Sequence, residues 1–152
     1  MNLTTKGRYA VMAMVDLATN GGNGPVVLSE IAHRQNIAVS YLEQIFMRLR
    51  KSGLVKSVRG PGGGYCLSKD MENTNISEIV SAVDESVKMT RCDSGGGSCV
   101  HDKKSAKCIT HNLWAGLTKA IHNYLESVSL HDVCERNVVF GDAKANEEAT
   151  NV

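Results

Sequence analysis

Residues 40–68 read SYLEQIFMRLRKSGLVKSVRGPGGGYCLS, and this stretch decides the fold. Ser40 is placed to cap a helix at its start, and Gly53 to close it as the residue beyond its C-terminus. Between them Leu42, Ile45, Phe46 and Leu49 recur at helical spacing as an apolar stripe. Tyr41, Glu43, Gln44, Met47, Arg48 and Lys51 are left to point outward. Beyond Gly53, the apolar Leu54, Val55 and Val58 precede Gly60, Pro61 and three more glycines, and Tyr65, Cys66 and Leu67 follow. Two short β-prone runs around a Gly-rich bend predict a hairpin.

Working outward, residues 28–35 (LSEIAHRQ) predict a short helix with Ser29 as its N-cap, and residues 36–39 a turn. Helix, turn, helix and hairpin in this order make a winged helix-turn-helix. Residues 3–19 predict a further helix, with Leu3, Ala10, Met14, Leu17 and Ala18 near one face, and residues 20–25 a Gly-rich break. Residues 75–83 predict a short helix, and residues 90–110 a loop without periodicity. In residues 111–128 Trp114, Leu117, Ile121, Tyr124 and Val128 recur at spacings of 3, 4, 3 and 4, widened by Leu113, Ala120 and Leu125. That is a heptad seam suited to a partner helix, although so short a pattern also suits a helix facing its own core. A last helical turn is expected over residues 130–137. The fold class is mainly α with a small β-hairpin wing, ending in a long C-terminal dimerisation helix. The expected division is a DNA-binding region over 1–70, a connecting helix over 71–90, a ligand loop over 91–111, the dimerisation helix and terminal turn over 112–137, and a disordered tail over 138–152.

The chain's 152 residues are 42% hydrophobic and 22% charged, the composition of an ordinary globular domain. No apolar run approaches the roughly 18 residues that read as a membrane span, and the polar start lacks the apolar core of a signal peptide. A cytoplasmic location without membrane contact is therefore expected. The net charge of +1 conceals an asymmetry: residues 1–69 carry nine Lys or Arg against three Asp or Glu, and residues 70–152 eight against thirteen. A basic first half beside an acidic second half suits a polyanion met by the first alone.

A recognition helix needs an apolar stripe to anchor it and a polar face to probe base edges, and residues 40–51 supply both. Ser40, Tyr41, Glu43 and Gln44 lie at the end that enters a major groove deepest, where Gln and Glu can address adenine and cytosine edges. Arg48, Arg50 and Lys51 follow a turn or more later, suited to phosphates. In the wing, Lys56, Arg59 and Gly60 are candidates for the minor groove, whose concentrated negative potential favours an Arg. The GPGGG run lacks the Lys-Ser/Thr ending of a phosphate-binding loop. No nucleophile-base set or paired carboxylates mark an enzyme.

Five cysteines, an odd count, argue against a secreted disulfide scaffold. Cys92, Cys99 and Cys108 are separated by six and eight residues, and His111 follows after two more. Three thiols and an imidazole can fill a closed site for zinc or an iron–sulfur cluster. Unligated thiols or a reversible disulfide remain open on this pattern. His101 is a competing ligand. Cys66 and Cys134 alternate with apolar neighbours and read as structural.

Taken together, LTTKGRYAVMAMVDLA, SYLEQIFMRLRKSGLVKSVRGPGGGY, ISEIVSAVDESV with its TRC, and THNLW resemble the bacterial iron–sulfur cluster regulators of the IscR family, winged-helix transcription factors, over roughly residues 1–135. The resemblance implies a homodimer on double-stranded DNA with a pseudo-palindromic operator. It implies a [2Fe–2S] cluster on Cys92, Cys99, Cys108 and His111, received from the cluster-assembly machinery, and control of the assembly genes. It further implies DNA contact at Tyr41, Glu43, Gln44 and Arg59, with Glu43 discriminating two classes of site. The gaps of six and eight are longer than the family's, which leaves His101 and Asp102 as alternative ligands. A nitric oxide- or redox-sensing repressor of the same family, or a zinc-stabilised DNA-binding repressor, is the alternative reading.

Overall fold

Ala10, Ala13, Met14 and Leu17 lie along one side of helix α1 (Thr5–Asn20) and are all buried there, as spacings of three and four require. The computed structural model describes residues 5–83 and 109–138; Leu3 lies outside them. After a 3₁₀ turn at Gly21–Asn23 come α2 (Leu28–Gln35) and α3 (Val39–Lys51). Each of these helices starts one residue before the serine expected to cap it. Val27 and Ala38 occupy the N-cap positions, neither making a side-chain cap, so Ser29 and Ser40 lie within the first turns. For α2 the reason is a pairing the local sequence does not announce. Val26 N–H donates to the Tyr65 carbonyl at 2.9 Å and Tyr65 N–H to that of Val26 at 2.8 Å. Val27 is thereby held extended, and the chain coils directly after it. For α3, Asn36 takes a left-handed conformation (φ 52°) and completes the reversal sooner than a turn over 36–39 would.

The C-terminus of α3 follows the expected chemistry. Gly53, at φ 76°, donates to the Arg50 carbonyl, and Leu54 N–H to that of Leu49, each at 3.0 Å. This pair of bonds is the Schellman closure that a left-handed glycine permits. It turns the chain into β1 (Val55–Val58), antiparallel to β2 (Gly64–Leu67), with Val55 opposite Leu67 and Val58 opposite Gly64. Val26 extends the hairpin by one bridge beyond β2. That third strand segment demands glycine at position 64, because a Cβ there would lie 2.4 Å from the Val26 carbonyl oxygen.

A second 3₁₀ turn, Met71–Asn73, leads to α4 (Ile76–Ala82), which starts with a reciprocal capping box between Asn75 and Glu78. After α5 (His111–Ser127), Ile76 N–H donates to the Val128 carbonyl at 2.9 Å and Leu130 N–H to that of Thr74 at 2.7 Å. This bridge seats α6 (Leu130–Cys134), which has its own capping box, Ser129 with Asp132, against α1. α6 is shorter than the turn expected over 130–137, because Arg136 takes a left-handed conformation at φ 57°. A single core joins Met14, Leu17, Ile31, Leu42, Phe46 and Leu49 to Ile76, Ile79, Val80, Val83 and Leu130.

α5 differs from the other long helices in burying no residue. Leu117, Ile121 and Val128 are half-buried, while Trp114 and Tyr124 are exposed and Leu113 is 64% exposed. One edge of the helix thus meets the chain's own core, through Leu125 and Val128, while Trp114 and Tyr124 on the seam stay open. Among the described residues no helix is long and apolar enough to cross a membrane. The tail beyond Val138 lies outside the described residues, as does residues 84–108, which holds most of the ligand loop.

Candidate nucleic-acid interface

The burial pattern of α3 separates its two faces cleanly. Leu42, Ile45, Phe46 and Leu49 are buried, and Phe46 meets Tyr65 of the wing edge-on, with ring centroids 4.9 Å apart. Ser40, Glu43, Gln44, Met47 and Lys51 are exposed and recur at spacings of three and four, forming one outward stripe. Tyr41 departs from the expectation that it points outward. It is half-buried, with its ring edge-on to that of Tyr9 on α1 at 5.8 Å. A ring flanked by α1 gains more from aromatic packing than from water, and the sequence around Tyr41 does not show that α1 passes there.

The cations gather toward the other end of the helix. Arg48, Arg50 and Lys51 lie in its last turn, where the negative end of the helix dipole favours them. Arg48 is half-buried and Lys51 exposed. Arg50 Nη1 donates to Ser57 Oγ at 3.4 Å, tying the helix to β1. Lys56 is exposed on β1, and Arg59 and Gly60 are exposed where the hairpin turns. The turn is held by the Gly63 N–H donating to the Gly60 carbonyl at 2.9 Å. Ser40, Glu43, Gln44 and Lys51 thus share one face of α3, and the wing carries Lys56, Arg59 and Gly60 directly after it in the chain.

An ion pair on a buried carboxylate positions the helix that precedes α3. Asp16 lies inside α1 with its side chain 1% exposed. Arg34 of α2 donates from Nη2 to Oδ1 at 2.7 Å and from Nε to Oδ2 at 3.0 Å, and Gln35 Nε2 donates to Oδ2 at 2.8 Å. Burial pushes the Asp16 carboxyl up, but hydrogen bonds from Arg34, Gln35 and Asn20, with the Arg34 charge, outweigh it and hold the group below the usual carboxylate range. Sequence reasoning passed over this pair, although an Asp within the apolar face of α1 was a signal that a partner had to be supplied.

Of the expected cluster ligands, His111 is described: it is the first residue of α5 and half-buried. Cys92, Cys99 and Cys108, like His101 and Asp102, lie outside the described residues. Among the described residues no group of three His, Cys, Asp or Glu could hold a metal. Cys66 on β2 and Cys134 on α6 are half-buried free thiols. Burial pushes the Cys134 thiol up, with Glu135 adding to this and a Thr19 hydrogen bond opposing it. A protonated thiol is a poor metal ligand.

The model of the Rrf2 family, described as an iron-dependent transcriptional regulator, matches residues 3–136. The chain belongs to the Rrf2 family. It is 53% identical over 133 residues to the HTH-type transcriptional regulator IscR of Klebsiella pneumoniae, covering 88% of this chain and 79% of that one. To the regulator of the same name from Escherichia coli it is 51% identical over 139 residues, covering 91% and 83%. Among solved structures, IscR of T. potens superposes with a TM-score of 0.71 at 35% identity, covering 100% of this chain and 93% of that one. CymR, the global cysteine regulator of B. subtilis, superposes with a TM-score of 0.72 at 31% identity, covering 90% and 98%. This Rrf2 protein is accordingly a winged-helix, DNA-binding transcriptional regulator and not an enzyme.

Proposed function

We propose that this regulator reports iron–sulfur status to the promoters of cluster-assembly genes, from the cytoplasm, by binding a pseudo-palindromic operator as a homodimer. The observation that carries the DNA reading is the stripe of Ser40, Glu43, Gln44 and Lys51 on α3, with Arg48 beside it and Lys56, Arg59 and Gly60 on the wing. Tyr41 contributes at the edge of that stripe, fixed by Tyr9. A carboxylate among phosphates repels unless a base donor faces it, so Glu43 rejects sites that offer none. The apolar seam of α5, only half-covered within one chain, supports pairing with a second copy. Residues 1–70 serve as the reading region, 71–90 as the connection, 91–111 as the ligand loop, 112–137 as the dimer contact and 138–152 as a tail.

Cys92, Cys99, Cys108 and His111 would hold a [2Fe–2S] cluster delivered by the assembly machinery. The donor set fits: three thiols, with an imidazole at the head of a helix, suit an iron–sulfur centre. When bound, such a cluster supplies a centre whose presence follows iron and oxidant levels. Ordering His111 acts on the start of α5, which packs on α4, and α4 shares the core that anchors α3. A bias of about 1–3 kcal/mol between two arrangements suffices for regulation.

Anaerobic purification followed by visible absorption and metal analysis tests the reading. Coloured protein with two irons per chain is expected, and a colourless zinc protein would reject it. Cys92→Ala should lose the iron and shift operator preference in a selection from randomised duplexes. Unchanged preference in the iron-free variant would refute the coupling.

A further inference from the structure

On the outward stripe of α3, Ser40, Glu43, Gln44 and Lys51 are all polar or charged, yet Met47 lies in their midst with 58% of its surface exposed. It is more exposed than Val39, the other large apolar residue that α3 leaves open, at 42%. Met47 follows Glu43 by four residues and Gln44 by three and precedes Lys51 by four, so it continues their row along the helix. An apolar side chain here gains nothing from phosphates or from the hydrogen-bonding edges of guanine, cytosine and adenine. The major groove presents one apolar group on its base edges, the C5-methyl of thymine. An unbranched thioether is well suited to such a contact, since it can adjust its rotamers to a methyl whose position is set by the rest of the complex.

We propose that Met47 is a specificity residue that reads a thymine methyl in each half-site, within about two base pairs of the pair addressed by Gln44. The proposal rests on α3 being the recognition helix.

The test uses the full chain and operator duplexes recovered from a randomised pool, with each thymine of a half-site replaced in turn by deoxyuridine, which lacks only the methyl group. At fixed salt, deoxyuridine should weaken wild-type binding about fourfold at one or two positions per half-site, the worth of one buried methyl. Met47→Ala should lose a similar factor on thymine DNA and then bind the thymine and deoxyuridine duplexes equally. Met47→Leu, which keeps an apolar tip, should restore the discrimination. The proposal is overturned if Met47→Ala retains the wild-type ratio between thymine and deoxyuridine duplexes at every position. Gln44→Ala separates two ways of failing. If it weakens binding while Met47→Ala changes no ratio, the thymine contact alone is wrong. If neither variant alters binding, α3 is not the reading element.

Discussion

Arg34 of α2 grips the buried carboxylate of Asp16 on α1 with two prongs, Nη2 to Oδ1 at 2.7 Å and Nε to Oδ2 at 3.0 Å. The two ends of this pair are unequal, since the Asp16 side chain is 1% exposed and that of Arg34 35%. Removing either partner therefore has a different consequence for the group left behind. An orphaned Arg34 can rehydrate, whereas an orphaned Asp16 keeps its charge in a desolvated site with Gln35 and Asn20 alone. Arg34→Ala should destabilise the fold distinctly more than Asp16→Ala. Urea denaturation of both variants checks the order, and equal losses would show that the asymmetry has no energetic weight.

The same carboxylate predicts how stability responds to acid. Its native pKa lies below the ordinary value of 3.8. Above 3.8 both folded and unfolded chains are ionised at this position, and its contribution is fully present. As the pH falls through 3.8 toward the lower native value, the unfolded chain takes up the proton first and that contribution is lost. The difference in urea midpoint between wild type and Asp16→Asn should hold steady from pH 6 to 4 and shrink below. A difference that grows with acid would contradict the sign.

Position 64 is a steric test of the wing. The Cβ of an alanine would meet Val26 backbone at 2.4–3.0 Å, and that backbone is itself held by two hydrogen bonds to Tyr65. Gly64→Ala should cost about 1–3 kcal/mol, as overpacking does, and should impair DNA binding by displacing the hairpin. Thermal melts together with binding isotherms check both effects.

Arg59 is exposed at the hairpin turn, so its loss should leave the fold intact. Arg59→Ala should weaken operator binding and lower the slope of log affinity against log salt by about one, the signature of one lost phosphate-directed cation. A variant with unchanged affinity and slope would remove the wing from the interface.

α5 leaves Trp114 and Tyr124 exposed and Ile121 half-buried on one seam. Ile121→Glu places a charge where a second copy would pack, at a position with no role in the monomer's buried core. Sedimentation equilibrium should show the proposed dimer for wild type and a monomer for this variant, with operator affinity falling in parallel. A variant that stays dimeric would move the subunit contact elsewhere.

Most of this architecture was legible from local pattern. The apolar stripe of α3, its glycine closure and the glycine bend of the hairpin each depend on residues within a few positions of one another, and short-range sterics and periodicity are written in such windows. Helix caps were read less well. Serines at positions 29 and 40 suggested caps, but α2 keeps its expected span of 28–35 with Val27 at the N-cap, because a partner 39 residues away, Tyr65, pairs with Val26.

The amino-acid order alone thus determined the succession of helix, turn, helix and hairpin, the apolar stripe that anchors α3, and that three cysteines stand ahead of α5 in the chain. Tertiary structure alone decided that Tyr41 leans on Tyr9, that Asp16 is answered by Arg34, and that α6 folds back on α1. The division has one physical cause. Helical periodicity and turn sterics act over three or four residues, whereas buried charges and rings are satisfied by whatever the folded chain carries past them, at any separation along the sequence.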